Sequence, residues 1–339
     1  MSVDALPSSH LIKVGVLTCH PTTGHIRPAW AAVINPLDGN PRRTGMVMSH
    51  VWDGEPGQAE DFSAQYGAEV VENYWDMVGK VDGIIIGDHN ELFLFKHLAR
   101  PYIEAGVPIF INRPFAFSLA DAREILELAK KHATPLMSGS SFAFVKEVGV
   151  IRQKVEEAQQ FRGYLMDNGT SEYAWHGIHG LWMAHAAMGG GVRRVSHLCA
   201  DRSDPNAVGT IILEHEGRNG GAPFYGCIQP TGKQAWMRIY TEDGAFEQAL
   251  MPEGSAWNRD TFLWLPMLLK IQDMFQYGRM PEPYADIYEK VNIFLAGFKS
   301  HIEHNGAPVA LDEVGDWIAP RIVKTRYEGL RMLGAAVAP

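Results

Sequence analysis

Three groups of residues in this sequence have the types and spacing that proton exchange and anion binding require. His176 and His179 stand three apart in Trp175-His176-Gly177-Ile178-His179, a spacing that one helical turn places in a common cleft. Imidazole exchanges a proton near neutral pH, so either ring is a candidate acid or base. Trp175 has an indole face that could stack on a sugar or pack in a core. Arg113 lies in Asn112-Arg113-Pro114, just past the apolar run Val107-Pro108-Ile109-Phe110-Ile111. Arginine holds its proton at neutral pH, so its work is to orient a hydroxyl or carboxylate and to stabilise developing negative charge. The third group, Thr18-Cys19-His20-Pro21-Thr22-Thr23-Gly24, follows another apolar run. His20, Thr22 and Thr23 offer side-chain donors to an anion such as phosphate. Ser138-Gly139-Ser140-Ser141 reads as a further strand-end loop at the cleft.

Other chemistries lack their residues. There is no HExxH, and no third ligand stands beside His176 and His179, so no metal site is expected. A GxSxG nucleophile elbow is absent. The three cysteines, Cys19, Cys199 and Cys227, are far apart and form no CxxC pair. They suit reduced thiols in a cytoplasmic protein. No apolar stretch approaches a membrane span, and Met1 to Ile12 does not look like a signal peptide. With 39 acidic against 30 basic residues the formal net charge is -9, which disfavours nucleic acid as a partner. The 339 residues, 46% hydrophobic and 20% charged, predict two soluble domains.

The elements that must position these groups follow from periodicity. Lys13–Thr18, Gly45–Trp52, Val81–Gly87, Val107–Ile111 and Pro135–Ser138 read as short apolar strands. Helical spacing lies between them at Gln58–Tyr66, Leu92–Ala105 and Ala122–His132, the last with Ser118 as N-cap. Repeated βα units predict a parallel, doubly wound sheet over 1–140, with ligands at the carboxyl ends of its strands. After a helix at Val145–Gln160 come alternating runs at Phe161–Met166, Thr210–His215, Phe224–Ile228 and Ala235–Tyr240. These predict a mostly antiparallel open sheet in an α+β domain over 141–339. Helices return at Thr261–Tyr277, Asp286–His304 and near the C-terminus.

With these motifs in place the chain resembles the Gfo/Idh/MocA oxidoreductases. Val81-Asp82-Gly83-Ile84-Ile85-Ile86, Glu104-Ala105-Gly106 and the Ser118-capped helix fall at that family's spacing, as does Leu136-Met137-Ser138-Gly139. Asn112-Arg113-Pro114 stands where the family has Glu-Lys-Pro, and Trp175-His176-Gly177-Ile178-His179 where it often has Asp-x-Gly-x-His. Met188-Gly189 and Val192–Val195 follow in order.

The resemblance implies a Rossmann-like domain and an NAD-dependent dehydrogenase acting on a sugar, cyclitol or related polyol by hydride transfer. Arg113, His179 and His176 would then be the catalytic set, with Trp175 and Ser140 on the substrate. Thr18, His20, Thr22, Thr23, Asp53, Gly87, Asp88 and Asn112 would line the cofactor. Asp53 at a strand end suits ribose hydroxyls and would repel a 2′-phosphate, favouring NAD over NADP. It also suits a plain Asp-Gly turn. The departures are as specific as the matches: Thr18 and His20 occupy the first two glycine positions of Gly-x-Gly-x-x-Gly, and Arg113 replaces a proton-exchanging lysine. They motivate two alternatives, a redox-neutral isomerase or lyase on the same scaffold and a non-catalytic sugar or nucleotide binder. The alternating run Ala235–Tyr240 suits a homodimer or homotetramer through the second sheet.

Overall fold

The computed structural model describes residues 11–21, 25–37, 40–87, 92–168, 172–230, 235–251 and 260–320. Thr22, Thr23, Asp88 and the expected C-terminal helix lie outside the described residues.

The first sheet holds β1 (Ile12–Leu17), β2 (Met46–Trp52), β3 (Glu69–Val70), β4 (Gly83–Ile86), β5 (Ile109–Asn112) and β6 (Leu136–Gly139). Their spatial order is β3-β2-β1-β4-β5-β6, with every pair parallel. The strands read as unbroken apolar runs because both faces are covered. All four residues of β4 and all four of β5 are buried. Helices α2 (Gln58–Tyr66), α3 (Phe95–Glu104) and α4 (Leu119–Lys131) make the crossovers. The Ser118 hydroxyl caps α4 as expected, accepting the Asp121 N–H at 3.1 Å. Strand order reverses between β1 and β4, the point at which such sheets bind ligands.

The crossover from β1 departs from that regularity. A π-helical turn at Ile26–Trp30 breaks at Arg27 (φ -111, ψ 116), and only four residues of α-helix follow, α1 (Ala31–Ile34). Trp30 is fully buried there and meets Phe110 of β5 edge-on at 5.6 Å.

After α5 (Lys146–Glu157) comes the second sheet. It contains β7 (Phe161–Asp167), β8 (Val192–Leu198), β9 (Thr210–His215), β10 (Phe224–Gln229), β11 (Trp236–Thr241), β12 (Gly244–Ala249) and β13 (Val309–Ala310). The order is β12-β11-β7-β10-β9-β8-β13, antiparallel except where β7 and β10 run parallel. Helix α6 (Ile178–Met188) links β7 to β8, and only one of its eleven residues is not buried. It is apolar on every side, so it shows no 3.6-residue stripe and escapes a periodicity reading. Tyr225 and Tyr240 both pair with Gly163 and stand on the open face of the sheet.

Helices α7 (Leu265–Tyr277) and α8 (Tyr284–His304) belong to the second half of the chain but also pack on the first sheet. Gln272 Oε1 accepts the Gly45 N–H at 2.6 Å, and the Phe275 ring lies over Gly83. On α8 the buried Lys290 ammonium donates to both Glu282 oxygens at 2.5 and 2.6 Å and to the Ser138 carbonyl at 3.3 Å.

A Cβ at Gly83 would fall 2.4 to 2.5 Å from three Phe275 ring atoms, while one on Gly149 of α5 would meet nothing. Gly83→Ala is expected to destabilise by about 1–3 kcal/mol through overpacking. Gly149→Ala is expected to stabilise by about 0.5–1 kcal/mol. Denaturant unfolding of both checks the pair.

Two buried imidazoles set an acid limit. Burial pushes His215 down to about 4. Burial, with the field of His301, pushes His197 down to about 3. Unfolded histidine titrates near 6.5, so below that pH the unfolded chain binds protons that the fold refuses. Their contribution is complete above about pH 6.5 and declines as pH falls toward 4. Melting temperature is expected to drop over that window, and to drop less in His215→Gln.

Candidate active site

Four segments converge on the Arg113 side chain. Arg113 follows β5 directly, and Ser140 follows β6. His179 is on the first turn of α6, and His25 lies in the loop after β1. Arg113 is only 2% exposed. Its Nη2 donates to His25 Nε2 at 2.9 Å and lies 3.3 Å from His179 Nε2. Guanidinium has no lone pair to offer, so both Nε2 atoms accept and both rings carry their proton on Nδ1. His179 Nδ1 then donates to the Ser140 hydroxyl at 2.6 Å. Ser140 is itself fixed, accepting the Phe142 N–H at 3.3 Å, and the Phe142 ring lies over His179 at 4.5 Å. The result is a neutral imidazole of one tautomer with its lone pair against a cation.

Burial pushes the Arg113 guanidinium down to about 9, against the opposing field of Glu172. It remains a cation at neutral pH. Its Nε and Nη1 are buried and have no hydrogen-bond partner among the described residues. Glu172 Oε1 instead accepts from His176 Nδ1 at 2.6 Å. The His176 side chain is 52% exposed, and its ring centroid is 6.0 Å from that of His179. The two expected histidines are therefore neighbours in different environments, His179 buried and His176 exposed. Trp175 is 9% exposed and lies edge-on to Phe117 at 6.2 Å, so packing takes part of its ring.

The residues expected around a cofactor gather at the ends of β1, β2, β4 and β5. Thr18 adopts a left-handed backbone (φ 65), the conformation that glycine usually supplies in this turn. Asp53 Oδ2 accepts the Cys19 N–H at 2.6 Å and its Oδ1 accepts the Glu55 N–H at 2.9 Å. The carboxylate thus makes the turn. His20 Nε2 is 4.0 Å from Glu55 Oε2. A Cβ at Gly87 would fall 2.2 Å from Ile26, whose side chain packs on that glycine. Asn112 is spent on backbone: its Nδ2 donates to the Gly87 carbonyl at 2.9 Å and its Oδ1 accepts the Arg113 N–H at 3.0 Å. It ties β4 to β5 and fixes where Arg113 begins.

These residues fit a dinucleotide in two respects: the left-handed Thr18 and the carboxylate at the end of β2. Phosphate contacts here would rest on side chains more than on a glycine backbone, because Pro21 has no N–H and α1 is one turn long. Among the described residues no cluster of three histidine, cysteine or acidic groups could hold a metal ion. Sequence reasoning missed His25. A lone histidine after Gly24 carries no spacing signal, and only the fold brings it to Arg113.

Comparison with known proteins agrees with this geometry. Residues 27–140 match the model of the oxidoreductase family with an NAD-binding Rossmann fold, Gfo/Idh/MocA. No curated protein matches the sequence. Among solved structures, apo scyllo-inositol dehydrogenase from Lactobacillus casei has a TM-score of 0.72 at 14% identity, over 89% of this chain and 98% of that one. GenD2 from gentamicin A biosynthesis, solved with NAD, has a TM-score of 0.71 at 15% identity, over 91% and 99%. An oxidoreductase from Agrobacterium radiobacter, solved with NAD+, L-tartaric acid and magnesium, has a TM-score of 0.67 at 16% identity, over 89% and 98%. At these identities the likeness is one of fold, and it spans both sheets. The chain therefore carries, at residues 27–140, a Gfo/Idh/MocA oxidoreductase-family domain of the NAD-binding Rossmann fold, within that fold's two-domain architecture.

Proposed function

We propose that this chain is an NAD-dependent oxidoreductase whose substrate is a sugar, cyclitol or related polyol. The observation that carries the reading is the held His179 imidazole, with Ser140 on Nδ1 and the Arg113 guanidinium at Nε2, at the carboxyl ends of the Rossmann strands. Asp53 would hold the ribose hydroxyls, and its charge disfavours the 2′-phosphate of NADP. Thr18, His20, Thr22, Thr23, Gly87, Asp88 and Asn112 would line the rest of the dinucleotide. When bound, the nicotinamide supplies or accepts the hydride.

The residues of the chain do the rest. A substrate hydroxyl that enters between His179 and Arg113 meets the Nε2 lone pair, which takes its proton. Arg113 N–H groups face the same oxygen and stabilise its developing negative charge. Ser140 holds the ring in the accepting tautomer throughout. His176 and Trp175 form the rim on the substrate side. The inositol dehydrogenase among the structural neighbours supports the polyol class. The open face of the second sheet, with Tyr225 and Tyr240, would pair two copies of the chain. The three cysteines form no disulfide, which suits the cytoplasm.

Titration with NADH, read by tryptophan fluorescence, tests the cofactor. A polyol panel followed by nicotinamide absorbance tests the chemistry. His179→Ala is expected to lose turnover by about 10²–10⁴-fold with NADH affinity unchanged. Ser140→Ala is expected to lose roughly tenfold, the worth of one orienting hydrogen bond. No NADH binding at millimolar concentration would sink the proposal. Tight NADH binding without net turnover would favour the redox-neutral isomerase or lyase, which the non-glycine phosphate loop also suits.

A further inference from the structure

We infer that the substrate of this cleft carries a carboxylate and that Arg113 pairs with it. This rests on the reading of the cleft as a substrate site and narrows its substrate class to polyhydroxy acids, such as sugar acids.

Charge and donors are out of balance around Arg113. Burying a cation is costly unless a counter-charge and acceptors meet it. Elsewhere the chain obeys this rule: the buried Lys290 ammonium has both oxygens of Glu282 and a carbonyl around it. Arg113 is buried more deeply still, yet no carboxylate lies within ion-pair distance among the described residues. Its partners, His25 and His179, are neutral rings that share Nη2 alone. The Nε and Nη1 donors are left without acceptors among the described residues. Glu172 does not fill the gap. Its field reaches the guanidinium, but one of its oxygens is held by His176 at 2.6 Å.

The missing partner must therefore be an acceptor, and a charged one. A neutral polyol brings hydroxyls, which accept but leave the buried charge uncompensated. A carboxylate brings acceptor oxygens and the opposite charge together, in the plane that guanidinium favours. Its place is set by His179 on the same Nη2, so the acid group and the reacting hydroxyl would be near neighbours on the substrate. A dinucleotide phosphate is the other oxyanion that could answer the same donors. Arg113 touches the proton-exchanging histidine, which favours the substrate as the source.

The test compares matched acid and neutral ligands, gluconate against sorbitol and glucuronate against glucose, with binding read by ligand-observed NMR. Each pair is measured without cofactor and again with NADH. The wild type is expected to bind the acids at least about tenfold more tightly, the worth of one charge-assisted hydrogen bond. Formate, but not chloride at equal ionic strength, is expected to raise its melting temperature. Arg113→Met should erase the acid preference, Arg113→Lys should retain part of it, and NADH affinity should stay within about twofold in both. Equal affinity for acid and neutral partners, or no binding of any acid, overturns the inference. So does an Arg113→Met variant that keeps the preference, or one that loses NADH in its place, which would assign the oxyanion to the cofactor. The wild-type comparisons decide the matter even if the variants fail to fold. Acid preference without NADH binding would sink the oxidoreductase reading alone, and NADH binding with turnover of neutral polyols only would sink this one alone.

Discussion

A guanidinium out of reach of water must be met by acceptors, and the acceptors must be brought to it. That constraint organises the centre of this molecule. Arg113 enters the interior at the end of β5, where Asn112 ties that strand to β4 through the Gly87 carbonyl. One acceptor arrives from the loop after β1 and the other from the first turn of α6, in the second half of the chain. Each buried donor left unanswered costs about 1–3 kcal/mol, so a shift of any of these segments would be felt by the whole fold. The site and the junction of the two halves are the same piece of structure. Chemistry at Arg113 is thereby coupled to the packing that holds the sheets together.

Much of this was legible in the residues. Unbroken apolar runs such as Ile84-Ile85-Ile86 marked parallel strands because strands covered on both faces need no polar alternation. Ser118 marked the start of α4, since its hydroxyl could answer an amide with no partner inside the helix. Arg113 before Pro114 and His179 within its motif pointed to one cleft, and the fold brings their nitrogens to 3.3 Å. What escaped was whatever depends on long-range encounter or on unpatterned burial. Helix α6 is apolar all round and shows no stripe. His25 had no partner at any fixed spacing, and it meets Arg113 across 88 positions of sequence. The roles of Asn112 and Asp53 in tying strand ends were equally hidden, because a side chain that bonds to distant backbone leaves no mark on its neighbours.

The loop after β1 shows how a turn built for glycine can be made without it. Thr18 takes the left-handed conformation, which costs a side-chain-bearing residue about 1–2 kcal/mol. Its N–H donates to the Trp52 carbonyl at 3.0 Å, and the next N–H is taken by Asp53 at 2.6 Å. These bonds offset the strain and hold the turn shut from the β2 side. Beyond the turn, Ile26 packs on Gly87 and Trp30 is fully buried, so apolar packing stands where a longer helix would otherwise begin. The two ends of the loop, at Thr18–Cys19 and at Ile26–Trp30, are held by bonds to the second strand and by packing, with little contribution from helical propensity.

Helix α7 gives the chain a different kind of unity from the one its two sheets suggest. It lies late in the sequence, yet Gln272 answers an amide beside β2 and Phe275 covers the glycine that opens β4. A chain ending near residue 140 would hold all six parallel strands and still lack the part of their cover that α7 supplies at Gly45 and Gly83. As the ribosome releases it, the nucleotide-binding half must wait for the other half to be made before its core is dry. The boundary between the sheets is thus a boundary of architecture, not of folding. The first half could not be grafted onto another protein with its core intact without carrying this helix along.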